Sequence, residues 1–339
     1  SETLMKLLGS PNIASKIWVY GQYDHEVGIR TVTKPGYDAS VLRLDNGKFL
    51  SIKIDGNPKQ CYINPREGAI GCFEEACRNV VCTGAKPIGM LDHLQFGNPN
   101  DPEIFWTFLE SLKGLTDFAK DFEIPCVGGK VSLYNETSDG PIKPTPVIGV
   151  IGLIDKKPLK IQKINSGDSL IMVGDTKDEL GGSEYSEYIH KFIGGKCPAV
   201  DFSESKKNMN SVLDAIENEL IKSAHDCSKG GLSIAISELC MINQIGCNIS
   251  LEKIPGEKLD SDKILFSESH SRYLLTIENK NLSKLEETLK KHNVSYSLIG
   301  EFTGDSICFT GDSKPIIDLS VDKAQKTWYN SLKEMVLHA

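Results

Sequence analysis

Between Ala39 and Ile154 the apolar residues switch repeatedly between the period of a strand and that of a helix, which limits the folds open to the chain. Ala39 to Leu44 alternates weakly and predicts a strand. Phe49 to Ile54 predicts a second, ended by the turn sequence Asp55-Gly56-Asn57-Pro58. Pro65 suits a helix start, and Ile70, Phe73, Cys77, Val80 and Val81 fall at helical spacing, with Gly84 as the stop. Ile88 to Leu91 predicts a short buried strand that delivers Asp92 into a polar turn running to Pro99. Pro102 to Phe122 is a long amphipathic helix with Ile104, Phe105, Phe108, Leu109, Leu112 and Leu115 on its apolar side. Pro146 to Ile154, apolar apart from two glycines, predicts a fully buried strand. Strand, helix, strand, helix, strand is the order of a layered α/β domain.

Three polar turns stand at comparable strand ends in this scheme: Asp55, Asp92 and Gly128-Gly129. Turns at one edge of a sheet can converge on one ligand. Val127 to Glu136 reads Val-Gly-Gly-Lys-Val-Ser-Leu-Tyr-Asn-Glu. Adjacent glycines can take positive φ and let backbone amides approach an anion, and they equally form a plain hairpin tip. Lys130 adds a cation there, Ser132 a hydroxyl, and Asn135 and Glu136 further polar groups. Asp55 fits a metal or phosphate contact as well as a turn opener.

The apolar run breaks at Asp155-Lys156-Lys157-Pro158, and 339 residues exceed what one core usually supports. Two α/β domains are therefore expected, 1–156 and 157–339, meeting near Asp155 to Gly167. The second holds a strand at Ser169 to Val173, a Gly-rich turn at Leu180 to Tyr185, and a helix from Lys206 to Ser223. His225 to Leu232, with Gly230-Gly231, precedes a helix at Ser233 to Met241. The expectation is a helix start whose amides face the domain cleft and hold a phosphate, against an ordinary Ser-capped entry. Strands follow at Tyr273 to Ile277 and Tyr296 to Ile299, with a helix between them at Asn281 to His292, then Glu301 to Phe309. The tail to Ala339 shows no clear motif.

Composition closes several other routes. Apolar content of 40% and charged content of 25% describe an ordinary globular protein. A net charge of −8 argues against a broad nucleic-acid face and leaves room for a local anion site. No apolar run is long enough to cross a bilayer and the N-terminus has no signal-peptide pattern, so a cytoplasmic location away from membranes is expected. The ten cysteines form no C-x-x-C pair and no zinc spacing, which predicts buried, reduced thiols. No G-x-x-x-x-G-K-[ST] motif occurs, which sets Walker-type ATP binding aside.

Five motifs recur in a fixed order: Tyr23-Asp24-His25, Pro35 to Arg43, Glu75-Ala76-Cys77-Arg78-Asn79, Asp92 to Pro99, and Gly128 to Glu136. This series resembles the large subunit of the phosphoribosylformylglycinamidine synthase family, and more narrowly its second half. Gln95 and Lys130 each stand where the family pattern has Asn. The resemblance implies an aminoimidazole-ribonucleotide-synthetase-like half, with an N-terminal sheet domain that pairs with a like domain and a C-terminal α/β domain. It implies an ATP-dependent, amidine-forming ligase of purine biosynthesis acting on formylglycinamide ribonucleotide. Ammonia would come from a glutaminase subunit, with a small accessory subunit and the first half of the synthetase as further partners. By position, Asp92 and Gly129 match ATP contacts and Ser132 a substrate contact. Lys130 falls on the Asn that would ligate Mg²⁺, which a protonated lysine cannot do. His25 and His93 are expected to be structural or to border the site, because the family's catalytic histidines belong to the first half. Two alternatives stay open: a nucleotide-binding half without turnover, and a complete homodimeric enzyme of the same superfamily.

Overall fold

Each switch of period in the first half of the chain becomes a layer. The computed structural model describes residues 1–159 and 163–338. Helices α1 (Glu2–Leu8) and α2 (Ile17–Tyr20) lead in. Strands β1 (Thr31–Thr33), β2 (Ser40–Arg43) and β3 (Phe49–Asp55) precede α3 (Pro58–Ile63) and α4 (Pro65–Val81). Then come β4 (Lys86–Gln95), α5 (Pro102–Asp121), β5 (Cys126–Ser132), the small hairpin β6 (Glu136–Thr137) and β7 (Gly140–Pro141), and β8 (Thr145–Ile154). Six of these strands form one sheet in the order β1-β2-β3-β8-β4-β5, parallel only between β4 and β5.

The second sheet uses β9 (Ser169–Val173), β10 (Ser223–Asp226), β11 (Cys247–Ser250), β12 (Tyr273–Ile277), β13 (Tyr296–Phe302), β14 (Ser306–Gly311) and β15 (Lys314–Ser320). Its order is β10-β12-β9-β13-β11-β14-β15. Helices α6 (Phe202–Glu217), α7 (Gly231–Asn243), α8 (Ser261–Phe266), α9 (Leu282–Lys291) and α10 (Val321–Leu337) complete this half. Among the described residues no strand pairing joins the two sheets. The expected join includes residues 160–162, which lie outside the described residues.

Several expectations about the elements change. The strands expected to be buried have one open face: Ile88 and Leu91 are exposed, and along β8 buried residues alternate with half-buried ones. Lys206 to Ser223 is not one helix: α6 stops at Glu217, and Ser223 opens strand β10. The featureless tail forms α10, 17 residues long.

Helix α4 organises the whole. Of its 17 residues, 15 are buried, so it is covered on every side: by the first sheet, by α5 and by the second half. One apolar core accordingly contains Phe73, Val80, Phe118 and Ile148 together with Val173, Val212, Tyr273 and Leu275. Phe118, Phe122 and Phe202 meet ring to ring across the two halves. A second core lies on the far face of the second sheet, where α1 joins α7 and α10. The N-terminal helix thus packs on the second half.

The other face of the first sheet is open. Register places Leu50 across from Leu153, Ile52 across from Ile151, and Ile54 in a row with Gly149 and Leu91. Side chains alternate along a strand, so these rows share one face, opposite to buried Ile148 and Val150. Ile54 is 66% exposed and Leu91 43%.

Candidate functional site

Asp92 and Gly129 come together inside the sheet. Strand β4 runs on to Gln95, so Asp92 sits within it, and Gly128-Gly129 lie within β5. This corrects the expected turns at these positions. Neither Gly128 nor Gly129 has a positive φ. What Gly129 needs is the absence of a side chain: a Cβ there would stand 2.5 Å from Asp92 Oδ1. In the register, Asp55 faces Ile148, Ile148 faces Asp92, and Asp92 faces Gly129, one row across four strands. Ile148, fully buried, stands between the two carboxylates: Asp55 pairs with Lys229, whereas Asp92 lies against Gly129 and Cys126. Cys126 Sγ lies 3.5 Å from Asp92 Oδ2, and its thiol is pushed up by burial.

Lys130 and Ser132, one and three residues on from Gly129, point to the open face. Their rows hold His93 and Val147 for Lys130, and Gln95 and Thr145 for Ser132. His93 Nε2 is buried and without a partner. Beyond Ser132 the chain folds back on the Asp92 strand: Asn135 Nδ2 donates to Phe96 O at 3.0 Å and to Ser132 O at 2.9 Å. The backbone N–H of Tyr134 donates to Gly97 O at 2.9 Å, and that of Asn98 to Glu136 Oε1 at 2.8 Å. Tyr134 takes φ +59° to close this turn. The two motifs quoted from the sequence are therefore zipped together, with Asp92 and Gly129 on the helix side and Lys130, Ser132 and His93 on the open side. His25 lies elsewhere, with Nε2 2.8 Å from Tyr20 O and the Tyr20 ring against its own.

A second polar assembly joins the two halves behind α4. Lys229 Nζ lies 2.9 Å from Asp55 Oδ1 and 3.1 Å from Glu75 Oε1. Arg78 pairs with Glu74 and reaches Asp226 at 3.3 Å, while Asn79 Nδ2 donates to Asp226 at 3.0 Å. His225 is held between Asp38, at 2.9 Å from Nδ1, and Glu238, at 3.3 Å from Nε2. Burial opposes charge on His225, but those carboxylates, Asp38 foremost, raise its pKa well above the ordinary range. Burial likewise opposes charge on Lys229, and Asp55 and then Glu75 override it. Sequence reasoning passed over Glu74, Glu75, Arg78 and Asn79 as parts of a site. The available signal was four polar residues among the apolar positions of the helix interior, each of which must find a partner once α4 is buried.

The expected phosphate cradle at His225 to Leu232 is overturned. Gly230 and Gly231 are buried, and Lys229 does face the first half. The Gly230 amide, however, donates to Glu268 Oε1 at 2.7 Å, and the Glu184 amide to the same oxygen at 2.8 Å. A carboxylate of the chain itself fills the helix start. Burial pushes the pKa of Glu268 up to about 7, against the pull of nearby Lys59.

Magnesium does not fit at residues 128–132. Lys130 supplies an ammonium, and the nearest strand carboxylate, Asp92, points to the opposite face. Among the described residues Asp38, His225 and Asp226 form the one group of three whose ligand atoms lie within 4.8 Å of one another. They are engaged already, with Arg78, Asn79 and Glu238 as partners. Nine of the ten cysteines are buried or half-buried and Cys126 is exposed; all ten are free thiols.

Two α/β layers around a shared helix, with paired motifs at one sheet edge, define a class. Residues 36–154 match the AIR synthase related protein N-terminal domain, and residues 165–310 match the C-terminal domain of the same name. The chain belongs to this AIR synthase related family. Within it, the chain is similar to phosphoribosylformylglycinamidine synthase subunit PurL of Methanocaldococcus jannaschii, at 43% identity over 343 residues, covering 98% of this chain and 46% of the relative. The chain thus spans about half the length of the curated relatives it matches. The fold is that of Thermotoga maritima PurL complexed with FGAR: TM-score 0.79, 18% identity, 96% of this chain and 53% of the other. The T. maritima PurL–ATP complex (TM-score 0.73, 18% identity, 95% and 52% covered) and the PurLQS structure (0.75, 19%, 96% and 51%) share it. No helix among the described residues is long and apolar enough to cross a membrane.

Proposed function

We propose that this chain is the second half of an ATP-dependent ligase that turns formylglycinamide ribonucleotide into formylglycinamidine ribonucleotide in purine biosynthesis. The observation that carries this reading is the zipped pair of motifs, with Asp92 against Gly129 and Ser132 beside them, at the edge of an open apolar sheet face. The curated relatives are about twice as long, and the cover assigned to that face is a like sheet domain in the part of them that this chain does not span. Asp92 and the bare backbone at Gly129, on the helix side of edge strand β5, are assigned to the nucleotide and Ser132, on its open side, to the ribonucleotide substrate, so that the two meet around that edge. Residues 1–156 are assigned as the sheet domain, apart from α1, which packs on the second half, and residues 157–339 as the second α/β domain.

The chemistry asks for electrostatics more than for a covalent nucleophile. ATP transfers its γ-phosphoryl group to the amide oxygen and leaves as ADP. Ammonia then adds to the carbon, and phosphate departs with the oxygen as the amidine forms. Both steps spread negative charge over phosphoryl oxygens, which positioned cations and amides stabilise. A glutaminase subunit would supply the ammonia and a small accessory subunit would complete the assembly, in keeping with the PurLQS structure of T. maritima. Any magnesium would be held by the first half. The cytoplasm is the expected compartment.

The test is an assay with formylglycinamide ribonucleotide, ATP, Mg²⁺ and ammonium. Turnover is expected when the first half is supplied and absent from this chain alone. The open face could also seat a second copy, and robust turnover by the isolated chain would establish that reading instead.

A further inference from the structure

The open face of the first sheet is apolar over most of its rows and polar at one end. Leu50, Ile52, Ile54, Leu91, Ile151 and Leu153 floor it, and Val147 borders the row that holds His93 and Lys130. The next row holds Gln95, Ser132 and Thr145. No carboxylate stands in any of these rows. Lys130 is exposed on the edge strand and pairs with no acid among the described residues. Beside it the buried Nε2 of His93 has no partner. A cation set among hydroxyl, amide and imidazole groups, with the nearby Asp92 turned to the other face, is a setting for an anion. Covering the face would remove water and strengthen each of these interactions.

We infer that Lys130 is the fixed cation of an anion subsite at this end of the face, binding a phosphoryl oxygen. The chemical class is a phosphate or phosphate ester. The ammonium delivers one positive charge that needs no free metal and cannot be stripped by a chelator. This subsite rests on reading the open face as one wall of a phosphoryl-transfer site, and it can be probed without turnover.

Inorganic phosphate is the probe, followed by ³¹P line broadening on the complete two-half protein with EDTA present. Wild type is expected to bind phosphate saturably and equally with and without the chelator. Lys130→Met should weaken binding by about ten- to a hundredfold, the worth of a hydrogen bond to a charged group. Lys130→Arg should stay within about threefold, since it keeps the charge. Lys130→Asn should bind weakly in EDTA and recover part of its affinity with added Mg²⁺. Thermal melts of each variant confirm folding, which an exposed edge-strand position should preserve. Phosphate binding unchanged in Lys130→Met, or abolished in wild type by EDTA, overturns the inference. The two readings separate cleanly. Lys130-dependent phosphate binding without any ligase turnover would remove the proposed reaction and leave the subsite. Turnover with Lys130-independent phosphate binding would do the reverse.

Discussion

Glycine at position 129 is required by its neighbour and not by its own backbone angles. A methyl group there would meet the Asp92 carboxylate at 2.5 Å, so Gly129→Ala must turn Asp92 away. The expected result is a loss of nucleotide affinity of at least tenfold, about 1.4 kcal/mol, in the assembled protein, with little change in melting temperature. A titration with ATP checks it. Lys229 is a different case, since Asp55 and Glu75 both depend on it. Lys229→Met leaves two carboxylates buried without their counter-ion and should cost roughly 3 kcal/mol in denaturant unfolding. Glu268 makes a pH-dependent prediction. Its pKa rises from 4.5 to about 7 on folding, so the native state holds a proton that the unfolded chain releases. Stability from this group is complete below about pH 4.5 and declines through about pH 7, by up to roughly 3 kcal/mol. Glu268→Gln keeps an acceptor for the Gly230 and Glu184 amides and removes the charge. It should therefore raise the melting temperature at pH 8 and have a much smaller effect at pH 5.

At the scale of elements, most of the first half was legible because apolar period and cap residues agreed. Asn64 caps α4 through the Glu67 amide and Asp101 caps α5, each with Pro at the first helical position. Strand β4 was underestimated because His93 and Gln95 look like turn residues, yet they lie on the open face of the sheet, where polarity is tolerated. Gly128-Gly129 misled in the same direction. Gly129 serves here for close approach of the Asp92 carboxylate, a demand that only the register reveals. Strand β10 was missed, its first residue taken into the expected helix and His225-Asp226 into the loop before Gly230, because Ser223 to Asp226 is short and polar and its partners Tyr273 to Thr276 lie far along the chain. The Gly230 phosphate reading failed because Glu268 is 38 residues away in sequence and nothing local announces it. The open face gives the prediction at this scale. Ile54 is 66% exposed, so Ile54→Asp should change the stability of the isolated chain by no more than about 0.5 kcal/mol. In sedimentation, the same variant should fail to associate with the first half. Normal association would show that the face is not the contact.

At the scale of the molecule the two sheets are separate, but the interior is not. The larger core takes Val41, Phe73 and Ile148 from one half and Val173, Met209 and Leu275 from the other. Helix α4 contributes its apolar residues to both and its charges to the network that holds Lys229, His225 and Asp226. The first half could not keep that helix covered alone, since the face of α4 with Glu74 and Arg78, which meets Ser205, Ser271 and Asp226, would be left in water. The expected consequence is a single unfolding transition for both halves, unlike a two-domain chain whose parts melt separately. Tryptophan positions make this measurable, because Trp106 lies in α5 of the first half and Trp328 in α10 of the second. Two variants carrying only one of them, with the other and Trp18 replaced by Phe, should give coincident denaturant midpoints, and far-UV circular dichroism should follow the same curve. Midpoints that differ between the two probes would mean that the halves are thermodynamically independent. The α4 network would then be a contact between finished domains, and no longer part of what folds them.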